Sequence, residues 1–261
     1  MAVITVFSIK GGVGKTTIAT DLAWRWAQGG AHPTLLWDLD PQGGASFLTR
    51  VGEPQRHRAA AIFQRDGRPR EAIVRSAFAN LSLIPADPSL RQLPSVLPRL
   101  GPRRMQQMTS LLRSDYHRIV LDCPAGLSPL SEQALLAADV IVVPLPPSPL
   151  SLRALDQLRA ELVRLYQRHA PILPVLSMYN CRRPLHRDVR HGAAAVWPVV
   201  PLATEIEQVA VRHKPLASFA GNASPDRALE RLWQALEARI ARREEPVDLP
   251  AVFTPRQSAV A

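Results

Sequence analysis

One octapeptide constrains this 261-residue chain more than any other segment: Lys10-Gly11-Gly12-Val13-Gly14-Lys15-Thr16-Thr17. It follows an apolar run over residues 3–8 that reads as a strand, and it precedes a helical pattern over 16–28. Its glycines allow the backbone to curl with successive N–H groups pointing inward, a concave site for an anion. The N-terminus of the following helix adds partial positive charge. Lys15 and Thr16 supply an ammonium and a hydroxyl at the helix start, as a phosphate ester and its divalent cation require.

The remaining pattern agrees with a strand–loop–helix beginning. Apolar runs over 34–38, 81–85, 118–122, 140–144, 172–178 and 197–200 read as strands buried on both faces. Between them lie helical patterns over 103–113, 131–137, 150–168, 185–195, 204–212 and 226–243, with short helices expected at 59–63 and 71–77. Alternation of this kind builds βαβ units. The expected fold class is α/β: a P-loop NTPase with a mostly parallel twisted sheet and helices on both faces. One domain is expected over 1–243. Residues 244–261 hold three prolines and no helical period, so a mobile C-terminal tail is expected there.

Composition narrows the classes. No apolar run reaches ~20 residues, so no membrane-spanning helix is expected. The first residues lack the flanks of a signal peptide. Two cysteines, Cys123 and Cys181, make no disulfide framework, which points to a reducing, cytoplasmic setting. The net charge of +10 favours nucleic acid or an anionic surface as partner. Only Lys10, Lys15 and Lys214 are lysine among 32 basic residues, and two of them sit in the octapeptide. A compact ammonium is what a phosphate site needs.

The common phosphate-loop pattern, G-x-x-x-x-G-K-[ST], places glycine where this chain has Ile9, and here Lys10 opens the loop instead. This loop resembles the deviant Walker A motif of the ParA/MinD ATPases. The resemblance continues along the chain. Asp38-Leu39-Asp40-Pro41-Gln42-Gly43 is similar to the family's first switch segment. Ile119-Val120-Leu121-Asp122, followed by Cys123-Pro124-Ala125-Gly126, is similar to its Walker B strand and second switch.

The resemblance implies ATP and Mg²⁺ as cofactors, bound by Lys10, Gly11, Gly12, Val13, Gly14, Lys15, Thr16 and Thr17. Lys15 would hold the subunit's own nucleotide, and Lys10 would reach the nucleotide of a partner in an ATP-dependent homodimer. Asp40 would position the attacking water, so Lys10, Lys15 and Asp40 are the implied catalytic residues. Thr16, Asp38 and Asp122 would form the metal shell. An aspartate ending a buried strand also needs a cation or donors on physical grounds. Cys123 beside it reads as a small buried residue. Asn180 stands where MinD-type members carry an asparagine near the adenine, which implies a contact with the base.

ParA proteins bind DNA non-specifically as ATP-bound dimers, and a ParB-like or cargo-adaptor protein triggers their hydrolysis. The resemblance thus implies both partners and a nucleoid-associated location. The densest basic cluster is Arg182, Arg183, His186, Arg187, Arg190 and His191. Helical spacing places Arg183, Arg187 and Arg190 on one face. Arg182, Arg183, Arg187 and Arg190 are therefore the expected DNA contacts. Glu205 stands where chromosomal ParA proteins carry a DNA-contacting arginine, which leaves Arg99, Arg103 and Arg104 as another patch. No helix-turn-helix extension is expected before the first strand. A MinD-like membrane cycle would need an amphipathic C-terminal helix. Leu229, Leu232, Trp233, Leu236 and Ile240 form a stripe, but such stripes are usually core packing. A carboxylate ligase with the same loop is a third class.

Overall fold

The computed structural model describes residues 1–30, 32–51, 58–64, 67–166 and 169–242. The expected tail at 244–261 lies outside the described residues. Eight strands form one sheet: β1 (Ala2–Val6), β2 (Thr34–Asp38), β3 (Val74–Arg75), β4 (Leu81–Ile84), β5 (Arg118–Asp122), β6 (Val140–Leu145), β7 (Ile172–Tyr179) and β8 (Val199–Pro201). Their spatial order is β3-β4-β2-β5-β1-β6-β7-β8. Every neighbouring pair is parallel except β3 with β4.

The helices are α1 (Lys15–Gln28), α2 (Gly44–Leu48), α3 (Leu93–Leu100), α4 (Arg104–Leu111), α5 (Pro129–Ala137), α6 (Pro149–Leu165), α7 (Pro184–His191), α8 (Thr204–Arg212), α9 (Ala217–Ala220) and α10 (Ser224–Arg242). They cover both faces of the sheet. On one face Ile4, Leu36, Val120 and Val142 pack with α1 and α10 residues such as Leu22, Trp26, Leu229 and Leu232. On the other, Val3, Leu35, Ile119 and Ile141 pack with α3 to α6 through Leu97, Met105, Leu130 and Leu158. Successive strand residues thus serve opposite cores, which is why these strands read as unbroken apolar runs.

A buried ion cluster fastens α1 to α10. Arg25 donates to Asp21 and to Asp226, each at 2.6 Å, with all three side chains buried. The apolar stripe of α10 is spent in the same interface: Leu229, Leu232 and Leu236 are buried, and Trp233 and Ile240 pack against that core. It is not a membrane-facing surface. No helix among the described residues is long and apolar enough to cross a membrane.

Between β2 and β5 one expected short helix is present and the other is not. Residues 59–63 form a 3-10 helix, and 71–77 is not a helix: a 3-10 turn over Pro69–Ala72 gives way to β3. β3 is two exposed residues pairing antiparallel with β4. An edge so short carries no apolar period to read. Helix α3 was not expected, because Pro94 and Pro98 mark LPSVLPRL as broken. Pro94 lies in the first turn, where a missing N–H costs nothing, while Pro98 sits within the helix close to its end.

Candidate nucleotide-binding site

The site is built where the central strands end. β1 delivers Ser8, Ile9 and Lys10 to the turn that opens α1. Gly12 and Gly14 adopt φ of 69° and 86°, the left-handed region that favours glycine. Gly14 is the N-cap of α1, so the first free N–H groups of a 14-residue helix face the turn. The side chain of Lys15 is buried. A groove of about 450 Å³ opens over this turn. It is lined by every residue from Gly11 to Ile18, by Asp40, Gln42 and Ala125, and on its far wall by Met178, Leu202 and Ile206.

Two carboxylates meet beside the turn because of strand register. Asp38 ends β2 and Asp122 ends β5, and the two are direct partners across that pair. Both are fully buried, yet their surroundings differ. Asp38 Oδ2 accepts from the Ser46 N–H and hydroxyl, each at 2.9 Å, and Oδ1 accepts from the Asp40 N–H at 3.2 Å. Burial still pushes its carboxyl up to about 6. Asp122 has no hydrogen-bond partner for either oxygen among the described residues. Burial, with Asp38 next, holds its carboxyl well above the usual range, against the nearby Thr16 hydroxyl and Lys15 ammonium. Two orphaned, buried oxygens beside a hydroxyl are the donor set of a hard divalent cation. Cys123 is buried too, and burial pushes its thiol up. Its side chain packs in the core below the site.

The expected metal residues therefore divide. The Thr16 hydroxyl and the Asp122 oxygens are groups that fit a divalent cation. Asp38 spends its oxygens on the first switch segment, tying Asp40 and α2 to the end of β2. Ser46 was not anticipated. Its hydroxyl also accepts from the Ala86 N–H at 3.2 Å, so it knits α2 to the β4 exit. A serine eight residues past an aspartate carries no sequence signal of that role. Gly44 packs α2 against Thr16, where a Cβ would stand 3.0 Å from Thr16 Cγ2. Asp40 is half-buried in the groove wall and accepts from the Gln42 N–H at 3.0 Å.

The two loop lysines also part ways. Lys15 lines the groove; Lys10 does not. Lys10 is half-buried, and its Nζ donates to the buried Ser151 Oγ at 3.4 Å, in the first turn of α6. Asn180 lies beyond Met178 and outside the groove lining. Its side-chain oxygen accepts from the Arg182 N–H at 2.9 Å, and its own N–H donates to His186 Nδ1 at 3.0 Å.

The family model described as an AAA domain matches residues 1–175, about two thirds of the chain. The chromosome partitioning protein ParA of Caulobacter vibrioides is 30% identical over 234 residues, covering 84% of this chain and 87% of that protein. The chromosome-partitioning ATPase Soj of Thermus thermophilus is 31% identical over 248 residues, covering 91% and 96%. This chain belongs to the ParA/MinD family of ATPases. The fold agrees: the cell division ATPase MinD of Pyrococcus furiosus superposes with a TM-score of 0.73 at 21% identity, covering 91% of this chain and 98% of that one. ATPases of this family work on ATP with Mg²⁺, and the residues present fit both. The glycine turn and Lys15 suit the phosphates, and Thr16 with Asp122 suits the cation, whose charge would offset that of the phosphates.

The expected DNA contacts do not stay together. Arg182, Arg183 and Arg187 are exposed on and before α7. Arg190 is half-buried, and its guanidinium donates to the carbonyls of Ala194, Ala195 and Trp197. It closes the turn after α7 rather than sharing an open face with Arg183 and Arg187. In the other patch Arg99 and Arg103 are exposed, while Arg104 donates to the Phe63 and Gln64 carbonyls.

Proposed function

We propose that this chain is a ParA-type positioning ATPase. ATP joins two copies, the dimer holds DNA without regard to sequence, and a ParB-like or cargo-adaptor protein triggers hydrolysis and release. Repeated rebinding then segregates or spaces a plasmid, chromosome or protein cargo. The relatives named for chromosome partitioning support this reading. The observation that carries it is the division between the lysines: Lys15 lines its own groove, and Lys10 is directed away from it, toward α6. A lysine in the phosphate loop that does not face its own phosphates is free to serve a neighbour's. Asp40, at the groove wall, is assigned the positioning of the attacking water, and Asn180 the edge of the base. Domain limits of 1–243 belong to the same reading.

The test uses Asp40→Ala, which should hold ATP without turning it over. Light scattering with ATP and Mg²⁺ should show a dimer, and the dimer should be retained on duplex DNA at low salt and released by high salt. A protein that stays monomeric with ATP, or a dimer that ignores DNA, overturns the proposal. The membrane-cycling alternative draws no support from α10, whose apolar stripe is buried.

A further inference from the structure

The nucleotide groove lies where the strands end. A second and larger cavity, about 620 Å³, lies where they begin. Its wall includes Ala2 of β1, Arg118 of β5, Val140 of β6, Arg113 after α4, and Arg239 of α10. The charged side chains of the lining are Arg113, Arg118, Arg239 and Asp139, and Met1 lines it as well. Three guanidinium groups thus face one carboxylate.

The partners already present do not quench that excess. Arg118 forms a forked pair with Glu237, at 2.8 and 3.0 Å to one oxygen, and the Trp26 indole N–H donates to the same oxygen. Asp139 is engaged too, accepting from the Val3 N–H at 2.7 Å. Arg239 is half-buried, and its Nε is fully buried with no acceptor among the described residues. Arg113 is exposed and makes no ion pair among the described residues. An N–H buried without an acceptor is costly, and two uncommitted guanidinium forks at one cavity favour a bidentate oxyanion. Nothing in the ATPase chemistry uses these residues, which sit at the opposite ends of the central strands from the groove.

We propose that this cavity is a second anion site that binds a phosphate-type oxyanion, with Arg239 and Arg113 as its donors and the Arg118–Glu237 pair as its floor. The oxyanion comes either from a small free polyphosphate or from the backbone of duplex DNA. The chemistry is the same in both cases, and two arms of one experiment separate them.

In the first arm, inorganic pyrophosphate is titrated calorimetrically into the full chain with its groove saturated by Mg-ADP, so that the phosphate loop does not compete. One pyrophosphate should bind per chain, and Arg113→Ala/Arg239→Ala should weaken it at least tenfold. Arg239→Lys keeps the charge without the fork and should fall between; it also guards against a double variant that folds poorly, as read from its melting temperature. In the second arm, ATP-dependent retention on duplex DNA is followed against salt. If the backbone is the source, the double variant removes four contacts from the dimer and should lower the log–log slope by roughly 3.5, at about 0.9 per phosphate contact. Loss in either arm supports the site and names the source. Variants that match wild type in both arms overturn it. Should the wild type retain no DNA at all, the positioning proposal fails, and the pyrophosphate arm still decides this one.

Discussion

The two aspartates at the head of the sheet show how far a residue's role depends on what meets its oxygens. Asp38 and Asp122 are strand partners and equally buried, but only Asp122 has both oxygens without a hydrogen-bond partner among the described residues, with the Thr16 hydroxyl and Lys15 ammonium nearby. At neutral pH an unpaired buried carboxylate destabilises the metal-free protein, so Asp122→Asn should raise its melting temperature in EDTA by a few degrees, from about 1–3 kcal/mol. The pH dependence follows from the raised carboxyls. A carboxyl held up in the folded state binds its proton there before it does in the unfolded chain, so its relative stability is full below 3.8 and is lost as pH rises through the folded value. For Asp38 that window closes at about 6; for Asp122 it extends higher. In EDTA, the urea midpoint of wild type relative to Asp122→Asn should therefore fall between pH 4 and pH 7. Mg-ADP should restore the wild type and not the variant. A gap independent of both pH and Mg²⁺ would mean that Asp122 faces no cation. The loop lysines permit a parallel comparison. Lys15→Ala should abolish nucleotide binding by the monomer, whereas Lys10→Ala should spare it and lose ATP-dependent dimers; equal loss of both functions would refute the division of labour.

At the scale of elements, the fold is held by a few tied joints. The Arg25 cluster is one: Arg25→Met leaves Asp21 and Asp226 buried without their cation and should cost about 3–5 kcal/mol in urea unfolding. Adding Asp21→Asn and Asp226→Asn should recover most of that loss, because the penalty belongs to the uncompensated charges. If the triple variant is no more stable than the single, packing rather than charge holds α1 to α10. Joints like this decide what was legible beforehand. β1, β2 and β4 to β7 were readable, since strands buried on both faces must be apolar throughout. The phosphate turn was readable, since its geometry demands glycine. α2 was not legible, because five residues opening on Gly44 have no helical period and depend on Asp38 to hold Ser46. Arg190 was misplaced for a similar reason. Helical spacing put it beside Arg187, but the chain folds back after Gly192 and brings three carbonyls to its guanidinium. Contacts made by a returning chain leave no periodic trace.

For the whole molecule, the net charge of +10 is only an upper bound on what DNA can feel. Arg25, Arg68, Arg70, Arg118, Arg159 and Arg164 are in ion pairs, and the half-buried Arg104 and Arg190 serve carbonyls. The exposed guanidinium groups near α7 are Arg182, Arg183 and Arg187, the last also donating to the Cys181 carbonyl at 3.1 Å, which makes three per subunit and six per dimer. If all six meet phosphates, counterion release predicts a log–log salt slope near about −5 for ATP-dependent retention. Arg182→Ala/Arg187→Ala would remove four contacts from the dimer and should reduce the slope to about −2, by the same proportion. Sequence should not matter, since phosphate contacts carry no base information. Arg190→Ala makes the discriminating comparison. Its guanidinium closes a turn, so that variant should lose stability in urea while leaving the slope of its folded fraction unchanged. A slope that falls with Arg190→Ala and not with Arg182→Ala/Arg187→Ala would place the DNA on a face other than the exposed start of α7.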